Sequence, residues 1–367
     1  MKRNQSIFAL SALLFLLSAC GEEEIGGQPV LSGQIIKFGA PSIHVEADTR
    51  GPINQLPKGS SFGVLGYCRA QTAPDNTTLN PASGSQTWDN KKQLCYPEVF
   101  YKQEVTYDGA SCSYTPLKEW YEPTNYNYSF FAYYPYEGAF TVTTGALELG
   151  APKVKFSIPF VSTDENTQLD SDAVPDAMVA QEIDVARNTG QVQLNFLHIL
   201  TGLNFQVNNY NATESGAAGE TVTIHSLKLY GTFYKSIEIN FDSGYNFPNE
   251  TFGGTYTIVP QGSNIEVPGL TSQSEIGGKT ILLVSNLSQT TGSSAYLGDL
   301  KLEIKYSFGA SISNKTQTFT RPDNFLPAGG TIYTAQLNFI GNSFVLNFVV
   351  DNNQQWEDGG DSDITFE

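Results

Sequence analysis

The sequence predicts an all-β protein of two sandwich domains that follow an N-terminal export signal. Apolar and polar residues alternate with a period of two in several segments, which is the pattern of strands with one buried face. Gly and Tyr are plentiful, and only 16% of the 367 residues are charged. Turn-rich stretches separate the alternating segments. No long segment has apolar residues at helical spacing, and at most a turn or two of helix is expected around residues 198–203.

Residues 1–19 have the features of a secretory signal peptide. A short basic start precedes the apolar residues 7–17, which are too few for a membrane span of about 20 residues. Ser18 and Ala19 lead directly to Cys20, and this arrangement resembles the lipobox of bacterial lipoproteins. The resemblance implies cleavage between Ala19 and Cys20 and a diacylglycerol on the Cys20 thiol, which would hold the protein on a membrane.

The residues that follow the lipobox are expected to form a tether. Residues 20–31 are polar and contain glycine, so they provide reach from the lipid rather than a folded element. Glutamates at 22–24 resemble the acidic export signal of surface lipoproteins in Bacteroidia-type bacteria. The whole chain carries a formal net charge of −17, which argues against nucleic acid as a partner because phosphates would repel it.

The N-terminal domain is predicted to cover residues 32–207. Apolar residues alternate with polar ones over 192–196, as in a half-buried strand. Nine aromatic residues lie between Trp120 and Tyr136. If this aromatic cluster points outward, it could stack on sugars or anchor a protein partner. We favour the inward orientation, in which the cluster is a buried strand that leads to a turn at Pro135.

The C-terminal domain is predicted to cover residues 208–367. Alternation recurs over 300–308 and over 333–339, so each segment is expected to be a strand with one face in the core. The segment 344–350 is apolar on both faces apart from Asn347, and such a strand needs burial on both sides. It therefore either runs through the middle of its own sandwich or docks into another partner.

The four cysteines leave the disulfide pattern open. If Cys20 carries lipid, then Cys68, Cys95 and Cys112 remain as thiols in an oxidising compartment. Cys95 and Cys112 are 17 residues apart and are a possible disulfide, but the sequence does not choose among the three possible pairs. No Cys or His spacing is typical of zinc, and no metal site is predicted.

The sequence contains no recognisable catalytic motif, and we predict that the protein is not an enzyme and has no cofactor. His198 lies in an apolar run and is expected to be a core residue that is satisfied by its neighbours. Paired carboxylates can act on sugars, but in so acidic a chain they are typical of solvated loops. The pairs in question are Asp170 with Asp172 and Glu357 with Asp358.

Several segments together resemble the fimbrillins, which are the type V pilins and related lipoproteins of Bacteroidia-type bacteria. Residues 129–136 read SFFAYYPY and are similar to the family's aromatic strand, and residues 355–360 read QWEDGG and are similar to its common ending. The order of the segments, together with the lipobox, spans nearly all of the mature chain. The further segments are 35–38 with 49–50, 175–180, 195–203, and 326–330 with Tyr333.

This resemblance implies two transthyretin-like β-sandwich domains and a defined route of assembly. Prepilins of the family travel outward as lipoproteins, and a trypsin-like protease then cuts in the loop past the first strand. Carried over to this chain, the cut falls between Arg50 and Gly51 and removes a first strand around 34–46. The C-terminal strand region of the next subunit is thought to fill the resulting groove, and here it would come from 331–350 or the tail. The donor residues would be Phe344, Leu346, Phe348 and Val350.

The predicted function is that of a fimbrillin-like surface lipoprotein at the outer membrane and in the fimbrium. It would be a structural or accessory pilus subunit that serves adhesion. Its partners would be other pilus subunits, the outer membrane through the lipid, and a host or bacterial surface receptor or glycan. The alternative is a surface glycan-binding lipoprotein that works beside a nutrient importer, and a third class is a glycosidase. The sequence leaves the stalk, anchor or tip position open.

Overall fold

The computed structural model describes 14 stretches of the chain. These are residues 30–43, 56–69, 87–122, 126–160, 162–187, 190–216, 218–248, 250–273, 276–285, 300–310, 312–321, 325, 327 and 329–350. Cys20, the predicted cleavage site at Arg50 and Gly51, and the pair Glu357 and Asp358 lie outside them. Among the described residues, no helix is long and apolar enough to cross a membrane.

Regular structure in the described residues is nearly all β, which confirms the all-β part of the predicted fold class. The helical elements are short: α1 (Trp88–Lys91) continues into a 3-10 turn (Lys92–Leu94), and a second 3-10 turn is Ser171–Ala173. The strands of the first 200 residues are β1 (Val30–Ile35), β2 (Ser42–Ile43), β3 (Ser61–Tyr67), β4 (Phe100–Tyr107), β5 (Cys112–Ser113), β6 (Glu119–Glu122), β7 (Asn127–Tyr134), β8 (Phe140–Val142), β9 (Lys153–Ser157), β10 (Met178–Ala186) and β11 (Asn195–His198).

The strands after residue 200 complete the fold. They are β12 (Thr201–Asn209), β13 (Val222–Tyr234), β14 (Ser236–Asn240), β15 (Gly244–Asn246), β16 (Thr251–Val259), β17 (Ile265–Val267), β18 (Thr271–Gln273), β19 (Ile281–Leu283), β20 (Leu300–Phe308), β21 (Ile312–Thr320), β22 (Ile332–Ile340) and β23 (Ser343–Val350). The helical turn expected around 198–203 is not formed. Strand β11 ends at His198, strand β12 begins at Thr201, and the two residues between them are buried.

The first half of the chain builds a seven-stranded sheet in the order β2-β11-β10-β7-β3-β4-β5. Strand β2 lies at one end and pairs with β11 in parallel, whereas the other neighbours are antiparallel. Strands β1 and β6 form a separate two-stranded sheet. The predicted single strand at 34–46 is therefore divided, because its start belongs to β1 and its later part belongs to β2.

The remaining strands form three sheets, and their pairing does not follow the predicted domain boundary at 207/208. Strand β12 spans that boundary and pairs in parallel with β22 from Gly202 to Asn209. One five-stranded sheet has the order β18-β12-β22-β23 with β19 also on β12, and the other has the order β16-β13-β20-β21 with β17 on β13. The four-stranded sheet β15-β14-β9-β8 joins strands from both halves of the chain.

The buried apolar residues form two cores that meet across β7. Phe131 and Tyr133 of this strand belong to the larger core, which continues into the C-terminal sheets. Tyr128 and Phe130 point the other way and belong to a smaller core. Successive side chains of a strand point to opposite faces, so an aromatic run fits a strand that has a core on each side. The smaller core is where the N-terminal segment enters the structure.

Candidate functional site

Residues 36–43, called the edge segment below, lie along the outer edge of the seven-stranded sheet. The Gly39 N–H donates to the Val192 carbonyl at 2.9 Å, and the Val192 N–H donates to the Lys37 carbonyl at 2.7 Å. This parallel pairing continues into the short β2–β11 contact. A few backbone hydrogen bonds therefore hold the edge segment in the position of a terminal strand.

Two side chains of the edge segment fill the smaller core. Ile36 is fully buried and Phe38 is 2% exposed, so alternate residues point inward as a strand requires. The Phe38 ring packs against those of Phe100, Tyr114 and Phe130 at centroid distances of 5.6, 5.8 and 5.7 Å. Burying an Ile or Phe side chain is worth about 1.5–3 kcal/mol, so these two residues account for much of the attachment.

The connection between β4 and β6 holds the opposite side of the edge segment. The Tyr114 hydroxyl donates to the Ile36 carbonyl at 2.6 Å, and the Ile36 N–H donates to the Lys118 carbonyl at 2.9 Å. The Cys112 thiol donates to the Gly39 carbonyl at 3.1 Å. Burial raises the pKa of Cys112 to about 11, which keeps the thiol protonated as a donor. The edge segment thus lies between β11 and this connection.

Strand β1, just before the edge segment, is attached by more exposed polar contacts. The Gly33 N–H donates to the Glu119 carboxylate at 2.8 Å. The Arg187 guanidinium donates twice to the Gln34 side-chain oxygen, at 3.2 Å each, and forms an ion pair with Glu122. Exposed polar contacts contribute little net stability, so the main attachment remains at Ile36 and Phe38.

An open pocket of about 390 Å³ borders the edge segment and the β4–β6 connection. Ile36 and Phe38 line it but remain buried, so the pocket does not expose the two side chains that enter the smaller core. The lining residues are Ile35, Ile36, Lys37, Phe38, Ser111, Cys112, Ser113, Tyr114, Leu117 and Gln191.

The four predicted donor residues all lie in β23, the last strand of its sheet and the antiparallel partner of β22. Phe344 is 2% exposed, Leu346 and Phe348 are half-buried against the larger core, and Val350 is 39% exposed. On the other face Val345 is 48% exposed. Strand β23 therefore does not run through the middle of its own sandwich, because one of its faces is exposed at the end of a sheet, and docking into another partner stays a prediction.

The three cysteines of the described residues are free thiols. Cys95 lies in the larger core, whereas Cys112 packs against the smaller one, so the possible disulfide between them is not formed. Cys68 is buried in the smaller core. Burial raises the pKa of all three thiols, in Cys95 to about 12.

The aromatic cluster points inward, as we favoured. Trp120 is 1% exposed, Tyr128, Phe130 and Phe131 are fully buried, and Tyr133 is 3% exposed. Trp120 packs on Tyr128 with ring centroids 4.6 Å apart. The structure thus removes the exposed aromatic patch that motivated the glycan-binding alternative.

The candidate acid–base residues have structural environments. His198 is buried, and its Nδ1 lies 2.8 Å from Oδ1 of the buried Asp176, so it is the core residue that we predicted. The Asp170 carboxylate accepts the Asp172 N–H at 2.9 Å and caps a 3-10 turn, and Asp172 forms an exposed ion pair with Lys279. Within the described ranges, no three His, Cys, Asp or Glu side chains are grouped as metal ligands.

Sequence reasoning missed the side chains and carbonyls that hold the edge segment from the β4–β6 connection. Tyr114 is 78 residues away from Ile36 along the chain, and Cys112 is 73 residues away from Gly39. Neither residue lies in a motif or a periodic pattern. Only the folded chain brings them beside the edge segment, so no local signal could have identified them.

Comparisons with known proteins agree with this architecture. A family model described as fimbrillin-like matches residues 49–352. The chain is 28% identical to the fimbrium subunit Fim1C of Phocaeicola vulgatus over 366 aligned residues, which cover 89% of this chain and 90% of that one. A fimbrial protein from Bacteroides vulgatus has a similar crystal structure, with a TM-score of 0.56 and 20% identity over 86% of this chain and 99% of that one. The motif resemblance is thereby confirmed, and this chain belongs to the fimbrillin-like family.

Proposed function

We propose that this chain is a non-enzymatic pilus subunit, structural or accessory, that serves adhesion at the cell surface. We further propose that it assembles by strand exchange after cleavage between Arg50 and Gly51. Membership of the fimbrillin-like family and the similarity to a fimbrium subunit support the first statement. The observation that carries the second is the edge segment, which fills the smaller core while it lies at the end of a sheet.

A cut after Arg50 would leave the edge segment attached only by non-covalent contacts. The described structure ends at Ile43 before the cut and resumes at Leu56 after it. Loss of the segment would expose the backbone edge of β11 and the ring faces of Phe100 and Phe130 that now contact Phe38. An unpaired strand edge beside an apolar pocket is a site at which an extended peptide adds as a strand.

Strand β23 has the side-chain spacing that such a groove requires. Ile36 and Phe38 enter the smaller core two residues apart. Phe344, Leu346 and Phe348 share one face of β23 at the same spacing of two. A strand from a second subunit could therefore supply both ladder hydrogen bonds and inward apolar side chains.

The proposed lipid anchor at Cys20 fits the same sequence of events. Cys20 lies ten residues before Val30, so an extended tether reaches at most about 36 Å from the lipid to β1. Cleavage between Arg50 and Gly51 would separate the rest of the subunit from the lipid and from the edge segment in one step. We therefore place the precursor on the outer membrane and the assembled form in the fimbrium.

The test compares purified precursor with Arg50→Ala and Arg50→Lys variants after treatment with a trypsin-like protease. We expect the wild type and Arg50→Lys to begin at Gly51 and to form a ladder of assemblies that resists mild denaturant. Arg50→Ala should keep its N-terminal segment and remain monomeric. Complete cleavage that yields only monomer, or a ladder from uncleaved Arg50→Ala, would contradict the proposal.

A further inference from the structure

Strands β21 and β23 belong to different sheets but lie side by side at the edge of the larger core. Lys315, Gln317 and Phe319 are alternate residues of β21 and therefore share one face of that strand. All three are placed against the β22–β23 turn or β23 itself. The contacts start at Asn342 in the turn and continue toward the end of β23.

The central contact is a two-point hydrogen bond between a side chain and the backbone. The Phe344 N–H donates to the Gln317 Oε1 at 3.0 Å, and the Gln317 Nε2 donates to the Phe344 carbonyl at 2.7 Å. A side-chain amide carries the same donor and acceptor as a peptide group. Gln317 therefore occupies the edge of β23 at Phe344 in the way that one residue of a neighbouring strand would.

Two further side chains, one from β21 and one from β20, hold the same end of β23. The Lys315 ammonium and the Tyr306 hydroxyl both donate to the Asn342 carbonyl, at 3.1 and 3.0 Å. The Tyr306 ring also meets the Phe344 ring edge-on at a centroid distance of 4.9 Å. The β22–β23 turn at Asn342 and the start of β23 at Phe344 are thus held by both polar and aromatic contacts.

The inward side chains of β23 become more exposed toward the other end of the strand. Phe319 lines a small apolar crevice together with Leu346 and Phe348, and both of these residues are only half-buried. Val350 at the end of the strand is 39% exposed, whereas Phe344 is 2% exposed. We therefore expect β23 to open first near Val350 and to lose the contact at Phe344 last.

We propose that Gln317 is a positioning residue for strand exchange: its side-chain amide holds the start of β23 in the unassembled subunit, and β23 leaves its own subunit only after these two hydrogen bonds and the ladder with β22 have broken. The inference rests on the proposed function in one respect, namely that β23 is the exchanging strand. Two hydrogen bonds of ordinary net strength change an opening equilibrium by roughly ten- to hundredfold. Gln317 thus lowers the fraction of unassembled subunits in which the donor strand is open.

The first arm of the test uses the uncleaved full chain and does not depend on assembly. Gln317→Leu removes both hydrogen bonds, and Gln317→Glu keeps an acceptor for the Phe344 N–H but loses the donor. Thr318→Leu is the matched control, because Thr318 is exposed on the neighbouring position of β21. We expect amide hydrogen exchange at Phe344 to become roughly tenfold or more faster in Gln317→Leu, less so in Gln317→Glu, and not in the control.

A merely structural role would raise exchange throughout the C-terminal sheets and lower the thermal midpoint. The positioning role predicts faster exchange confined to residues 343–350, with a midpoint close to that of Thr318→Leu. Unchanged exchange at Phe344 in Gln317→Leu would overturn the inference.

The second arm measures the initial rate of assembly after cleavage between Arg50 and Gly51. We expect Gln317→Leu to assemble several-fold faster than the wild type and the control. Equal rates, combined with faster exchange at Phe344, would show that release of β23 does not limit assembly and would overturn the positioning role. If none of the proteins assembles, the proposed function fails, and the exchange data alone decide whether Gln317 holds β23.

Discussion

Glu98 is a carboxylate at the rim of the smaller core whose burial has a consequence for stability. Its side chain accepts the Arg69 N–H at 2.6 Å and the Cys68 N–H at 3.1 Å. Desolvation nevertheless raises the pKa of Glu98 from 4.5 to about 7. The folded state therefore binds this proton more tightly than the unfolded chain does. Rising pH favours the charged carboxylate, and burial disfavours that form in the folded state.

The sign of the pH effect follows from this raised pKa. Binding of the proton to Glu98 stabilises the folded state fully below about pH 4.5. This contribution to the free energy of unfolding is lost as the pH rises to about 7, because the unfolded state releases the proton first. In Glu98→Gln the amide oxygen can accept the same N–H groups without titrating. We expect the variant to gain up to about 3 kcal/mol relative to the wild type between pH 4.5 and pH 8, measured by urea unfolding. An equal pH dependence in both proteins would contradict this account.

Residue-level predictions from the sequence succeeded where a residue's own neighbours set its environment. His198 was recognised as a core residue because apolar residues surround it in the chain, and its buried contact with Asp176 agrees. The roles of Tyr114 and Gln317 could not be predicted in this way. Their partners, Ile36 and Phe344, lie far away in sequence, and a single Tyr or Gln carries no periodic signal.

At the scale of elements, β7 and β23 show what an apolar run can and cannot reveal. Both strands are apolar on successive residues, and β7 has a core on each face, whereas β23 has one. The difference comes from what packs on each face, since the larger and the smaller core cover opposite faces of β7 and only the larger core covers a face of β23. Alternation over β20 and β22 did predict strands with one buried face, because apolar side chains at every second residue identify the face that packs on the core.

The contributions of the two faces of β23 can be measured with separate substitutions. Phe348 stacks on Phe325 with ring centroids 3.8 Å apart, whereas Val349 is 38% exposed on the opposite face. We expect Phe348→Ala to destabilise the uncleaved protein by about 1–2 kcal/mol, less than a fully buried Phe because the side chain is half-exposed. Its assemblies should also dissociate at a lower denaturant concentration, as read from the ladder on gels.

The control for this change is Val349→Ala, which removes two methyl groups from the exposed face of the same strand. We expect it to leave both the unfolding free energy and the ladder close to wild type. If Val349→Ala weakened the assemblies as much as Phe348→Ala does, the face that we assign to the exchange groove would be the wrong one.

At the scale of the whole molecule, the two halves of the chain share the larger core. Strands β8 and β9 pair in one sheet with β14 and β15. Phe131 packs on Phe241 at 5.1 Å, and Lys92 forms an ion pair with Asp242. The predicted boundary at 207/208 lies within β12, and turn-rich composition marks loops but carries no information on which distant strands pair.

This shared core predicts cooperative unfolding. We expect the uncleaved protein to lose far-UV and near-UV circular dichroism in one coincident urea transition, because most sheets contribute to the same core. A fragment that ends at residue 207 should not fold, since it cuts β12 and leaves β8 and β9 without β14. Two well-separated transitions, or a folded fragment, would show that the halves are independent domains.

The central claim is that the edge segment is removed and that another subunit's strand takes its place. The most direct measurement is an electron cryomicroscopy map of filaments assembled from cleaved subunits. We expect the density beside β11 and above Phe100 to belong to β23 of a neighbouring subunit. Density for Ile36 and Phe38 of the same chain at this position would contradict it.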